Sequence, residues 1–106
     1  MRIVLITVAL AALSTASGLA TDVAAGKASY NKACKSCHGP EGTANPAIAK
    51  MMKVEMKDLK SSSVQAMSDD ELKNIVTAGK GKMKPVSSVS GAAVDNVVAY
   101  IRSLKQ

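Results

Sequence analysis

No phenylalanine and no tryptophan occur in this chain of 106 residues, and tyrosine occurs only twice. A small domain buries a low fraction of its surface and usually needs a staple or a bound group to hold its centre. With the largest rings missing, something other than side chains must fill the middle. The composition is otherwise globular: 47% hydrophobic and 21% charged residues exclude a disordered tail, a collagen-like repeat and a disulfide-dense toxin scaffold.

The longest apolar run stands at the extreme N-terminus, from Ile3 to Leu13, and is too short to cross a bilayer. Arg2 before it and Gly18-Leu19-Ala20 after it supply the positive start and the small-x-small cleavage site of a secretory signal. The expected organisation is a signal peptide over residues 1–20 and one domain over 21–106. The processed protein is expected to be soluble in the periplasm, with no stable membrane insertion. No Cys closely follows the run, so a lipid anchor on a new N-terminal Cys is not expected. Export to an oxidising compartment makes a disulfide the default for two cysteines. Their spacing argues against that default.

Cys34-Lys35-Ser36-Cys37-His38 is a C-x-x-C-H run, the attachment pattern of a c-type haem. Two thiols at this spacing can add to the two vinyl groups on one porphyrin edge. The next residue, on the same helical turn, then places an imidazole under the iron. A thiol redox pair or half a zinc site are the competing uses of Cys34 and Cys37. Neither finds its supports: there is no second C-x-x-C and no strand-helix-strand pattern around the motif. The cofactor expected is one haem c, bound covalently through Cys34 and Cys37 and ligated by His38, the single histidine of the chain.

With these residues the chain resembles the class I cytochrome c family in its short bacterial single-haem form. The resemblance covers residues 21–106 and rests on the C-x-x-C-H run, a Gly-rich loop with a Met, and a terminal helix ending Tyr100-Ile101-Arg102-Ser103-Leu104. It implies an all-α cytochrome c fold, three to four short helices wrapped around one covalently attached haem. It also implies His on one side of the iron and Met on the other. In the family the first and last helices cross at a glycine with aromatic neighbours, and Gly26, Tyr30 and Tyr100 stand where those residues fall. By the same resemblance the Pro46 carbonyl would accept from the second ring nitrogen of His38.

Six methionines are present, one of them the initiator, so the distal ligand has to be argued. A thioether is a soft, neutral ligand that, paired with His, raises the reduction potential. Met83 lies in Gly79-Lys80-Gly81-Lys82-Met83-Lys84-Pro85, where two glycines and a proline hold an irregular loop. That loop matches the family's Met loop except that Lys84 separates Met83 from its proline. Met83 is the expected ligand, and gap-filling core is its other use. Met52 or Met56 comes second; these two and Met51 lie between Ile48 and Leu59, a stretch without one clean period that is expected to line the lower haem pocket. Met67 precedes the capping box Ser68-Asp69-Asp70-Glu71 and forms a hydrophobic staple with Leu72.

Periodicity predicts three helices. The first runs from Asp22 to Lys35 into the haem motif, and its Gly26 costs about 1 kcal/mol against Ala, a cost that marks close approach by another backbone. The second runs from Asp69 to Ala78, with acidic residues in its first turn and Gly79 as its stop. The third runs from about Gly91 to Leu104 with Val94, Val97, Val98, Ile101 and Leu104 on one face and Ser90 as its N-cap. Between motif and second helix, Gly39 to Pro46 reads as a loop.

The formal charge is +6 and drops by one when Arg2 leaves with the leader. Lys35, Lys80, Lys82 and Lys84 are expected to ring the haem edge and to steer redox partner proteins with an acidic docking surface into a short-lived contact. Lys50, Lys53, Lys57 and Lys60 read as ordinary solvated charges. Nucleic acid is a poor partner for a chain with so few aromatic residues and no polybasic run. The function expected is a soluble periplasmic one-electron carrier, monomeric and not an enzyme, with both axial positions filled by protein. A haem-based gas sensor with an open distal site is the alternative. A peroxidase lacks a second His or Arg-rich loop for the distal side, and a haem-free thiol oxidoreductase would return only if the exported protein showed no Soret absorption.

Overall fold

The computed structural model describes residues 21–105. The signal peptide expected over 1–20 lies outside them. Among the described residues six helices follow in order: α1 (Val23–Ala33), α2 (Lys35–His38), α3 (Pro46–Met52), α4 (Ser62–Gln65), α5 (Asp69–Ala78) and α6 (Ala92–Ser103). The described residues hold no named strand, and one isolated antiparallel bridge joins Lys80 and Met83. The chain is all-α, as expected, with more helices than periodicity alone predicts.

The pairing of α1 with α6 is the main helix contact. It depends on Gly26: a Cβ there would drive into the Asn96 carbonyl oxygen and come within 3.1 Å of the Tyr100 Cβ. The absence of a side chain lets the two backbones touch, which accounts for a glycine inside a helix. One turn further on, the Tyr30 and Tyr100 rings pack at 5.0 Å between centroids, tilted by 58°. Such tilted pairs satisfy the quadrupoles of both rings. Tyr30 and Val97 are fully buried and are the centre of the core.

Valines do most of the remaining filling. Val76, Val89, Val94, Val97 and Ile101 form one cluster between α5 and α6, and Val64, Leu72 and Val98 form another. Leu59 packs against both and also against the cluster of Tyr30, Cys34 and Tyr100. A branched residue at this junction ties the α1–α6 pair to the chain that follows the haem motif. Met67 packs beside Leu72 as the staple requires.

Helix ends follow local chemistry. The Asp22 carboxylate accepts from Ala25 N at 3.0 Å and starts α1. The Ser68 hydroxyl accepts from Glu71 N at 3.1 Å and starts α5, which Gly79 closes at φ 79. Helix α6 differs from expectation: Gly91, at φ 58, takes the cap position, and the Ser90 hydroxyl makes no cap bond. Ser90 instead contributes its carbonyl to Ala93 N at 3.2 Å. A second difference lies at the haem motif. The first helix ends at Ala33, because Cys34 leaves helical geometry at φ −120 and ψ −31, and the motif occupies a separate turn.

Two short helices were not expected. Asn45-Pro46 starts α3, with the Asn45 Oδ1 accepting from Ala47 N at 3.1 Å and Ile48 N at 3.4 Å, and Pro46 at a first position that needs no N–H. It ends where Lys53 turns left-handed at φ 54, sending its own N–H to Lys50 O and the Val54 N–H to Ala49 O. These are the two bonds of a Schellman stop. From Met52 to Asp58 burial then alternates residue by residue, with Met52, Val54 and Met56 half-buried and Lys53, Glu55 and Lys57 exposed. Helix period up to Met52 and period two beyond it explain why Ile48 to Leu59 shows no single repeat.

Candidate functional site

The C-x-x-C-H residues are gathered by one carbonyl. Cys34 O accepts from Cys37 N at 3.2 Å and from His38 N at 2.9 Å, so α2 turns the two sulfur-bearing residues and the imidazole around a single backbone atom. Both cysteines are free thiols. Cys34 is buried, whereas the intervening Lys35 and Ser36 face solvent. Burial, with Cys37 beside it, pushes the Cys34 thiol above its ordinary range and keeps it protonated.

His38 is held just as deliberately. Burial lowers its basicity, so the ring is neutral at neutral pH, the form that binds a metal. Its Nδ1 is enclosed and has no hydrogen-bond partner. An orphaned buried nitrogen costs about 1–3 kcal/mol unless some further group satisfies the ring. The support expected from Pro46 is not made. Pro46 is the first residue of α3, and its carbonyl belongs to the ladder of that helix.

The segment after His38 is anchored to the helix crossing. The Tyr30 hydroxyl donates to Gly39 O at 2.7 Å, and the Tyr100 hydroxyl donates to Pro40 O at 3.3 Å. Both tyrosines thus act on the backbone just after His38, a use beyond packing at the helix crossing. Asn45 adds the next tie: its N–H donates to Cys37 O at 2.9 Å and its Nδ2 to Ser36 O at 3.2 Å.

Met83 stands in a two-residue hairpin. Lys80 N donates to Met83 O at 2.9 Å and Met83 N to Lys80 O at 3.0 Å, with Gly81 at φ 57 in the turn. Gly79 must be glycine here, since at φ 79 a Cβ would also stand 2.5 Å from Met83 O and 2.9 Å from Pro85 N. The Val86 N–H to Val76 O bond, 2.8 Å, returns the chain to α5. Helix α3 connects the hairpin with the haem motif. Asn45 holds its start to Ser36 and Cys37, and at its far end Lys82 Nζ donates to Met52 O at 2.6 Å.

The residues present fit a haem. Two unpaired thiols and a neutral imidazole share one turn, and the imidazole Nδ1 has no protein partner. Elsewhere Met52, Val54, Met56 and Met83 are half-buried, and Met51 is 70% exposed, unusual for so large an apolar side chain. Cys34, Cys37 and His38 would hold the group.

Comparison with known proteins agrees with this geometry. The family model described as cytochrome c oxidase, cbb3-type, subunit III matches residues 21–101, and the chain belongs to that family. The fold is that of a c-type cytochrome: the solved KustC0563 c-type cytochrome superposes with a TM-score of 0.65 at 23% identity, over 76% of this chain and 98% of that one. No curated protein matches the sequence. The class I-like, single-haem reading and the all-α cytochrome c fold therefore stand. A c-type cytochrome implies covalently bound haem c, and the family is one of electron carriers. No helix among the described residues is long and apolar enough to cross a membrane.

Proposed function

We propose that the chain is an exported, soluble one-electron carrier of the periplasm, monomeric and without enzymatic activity, whose haem is ligated by His38 and Met83. The observation that carries the proposal is the shared turn of α2, where free Cys34 and Cys37 accompany a neutral His38 ring whose Nδ1 has no protein partner. Haem bound there supplies a one-electron couple at its iron. The protein's own part is to hold the ligands still. Cys34 O fixes the turn, Tyr30 and Asn45 fix the backbone on either side of it, and the Gly79–Met83 hairpin presents a thioether from the other element.

Lys80 and Lys84 are exposed beside Met83, and Lys35 is exposed within the motif. They would attract an acidic partner over a distance and make association slower as salt rises. The test is spectroscopic. Met83→Ala should turn the ferric protein high-spin and lower its potential, because a neutral sulfur donor is lost. A low-spin spectrum that survives the substitution would remove Met83 from the site. Prompt carbon monoxide binding by the unaltered ferrous protein at neutral pH would instead favour a gas sensor.

A further inference from the structure

Three lysines surround Met83 at alternate positions, Lys80, Lys82 and Lys84, and charge alone would give them one role. Their contacts separate them. Lys82 sends its ammonium 2.6 Å to the carbonyl oxygen of Met52, the last residue of α3. The terminal carbonyls of a helix have no partner within it and attract a cation. In α3 the Schellman stop satisfies Ala49 O and Lys50 O, and Lys82 satisfies Met52 O. The residue that makes this bond is the one directly before the thioether.

We propose that Lys82 is a positioning residue for Met83: by clamping the hairpin to the C-terminus of α3, it sets how firmly the thioether is held toward the haem, while Lys80 and Lys84 serve docking. The clamp has a reference point because α3 is fixed at its other end, where Asn45 bonds Ser36 O and Cys37 O in part through its side chain and in part through its N–H. Helix α3 is thus a strut between the two ligand-bearing segments. The proposal rests on the reading of Met83 as ligand.

Imidazole, which competes with a weakly held sulfur for ferric iron, tests it on the holoprotein. Lys82→Gln should bind imidazole about fivefold more tightly than the parent, the scale of one charge–carbonyl bond at a helix end. Its potential should fall as well. Lys82→Arg, which keeps a cationic donor, should restore both values. Lys84→Gln should leave imidazole affinity at the parental value and weaken the salt dependence of electron exchange with an acidic partner. Unchanged imidazole affinity in Lys82→Gln, or failure of the Arg variant to restore it, overturns the clamp. A Met83→Ala protein that binds imidazole no better than the parent overturns the ligand reading itself, and the clamp falls with it.

Discussion

Helices α1, α5 and α6 close on one another with their own side chains, whereas the stretch from Gly39 to Leu59 and the Met83 hairpin leave theirs half-covered. The first region is valine-rich, capped by Asp22 and Ser68, and centred on Tyr30 and Val97, both fully buried. The second holds two turns of helix, an extended run and several half-buried methionines, joined by two hydrogen bonds from Asn45 and one from Lys82. Burial of apolar surface is what stabilises the first region. The second has too few partners of its own and takes its shape from ties to the first. A chain without large rings has put its best packing where two helices cross and left the other side to receive a flat apolar group.

Paired glycine substitutions break this comparison most directly. Gly26→Ala places a methyl into the Asn96 carbonyl and should cost about 3 kcal/mol or more, read as a lowered urea midpoint. Gly81→Ala meets no atom within 4 Å and should cost about 1 kcal/mol, the strain of a left-handed residue alone. Equal costs would mean that the hairpin is as tightly packed as the crossing.

Arg102 sharpens the boundary between the regions. Its guanidinium donates to Asp69 Oδ1 and Gln65 O at 2.9 and 2.8 Å and also to Met67 O, while Gln65 Nε2 reaches Leu59 O and Ile101 O, both at 2.9 Å. Arg102→Ala should lower stability by about 2 kcal/mol, because two backbone carbonyls lose a charged donor at once. Arg102→Lys should recover little of it, since one ammonium cannot span three acceptors. By contrast the Lys73–Asp95 ion pair is exposed, and Lys73→Gln should leave the urea midpoint where it was.

A further effect is a pH dependence confined to the alkaline range. Burial first, and then neighbouring Cys34, pushes the Tyr30 phenol far above its ordinary value. The folded state therefore keeps the proton after the unfolded chain has begun to lose it near pH 10. The contribution is fully present below that pH and is lost as pH rises toward the folded value, at up to about 1.4 kcal/mol per pH unit. Tyr30→Phe should flatten this alkaline slope in a series of urea titrations. A slope that persists would place the titrating group elsewhere.

Sequence legibility followed the same division. Ser68 and Gly79 bracket α5 at Asp69–Ala78, the bounds that capping chemistry predicts, and Gly26 with its two tyrosines marks the α1–α6 crossing. The C-x-x-C-H run carries its meaning in spacing alone. What escaped was local conflict. Asn45-Pro46 is at once a turn dipeptide and an N-cap with its first-position proline, and the second use prevails because Asn45 can also bond Ser36 and Cys37. Ser90 lost the cap of α6 to a glycine that accepts positive φ. Lys82, Gln65 and Arg102 each reach a carbonyl 30 to 37 residues away, and no local pattern announces such a bond.

The two phenols that donate to Gly39 and Pro40 have a kinetic consequence. An iron that gains or loses an electron is slowed by every nucleus that must shift with it. The backbone leaving His38 is held at two successive carbonyls by rings locked in the helix crossing. With haem held at His38 as proposed, the backbone beside the imidazole would stay anchored in both oxidation states, and electron exchange would demand little rearrangement of the polypeptide around it.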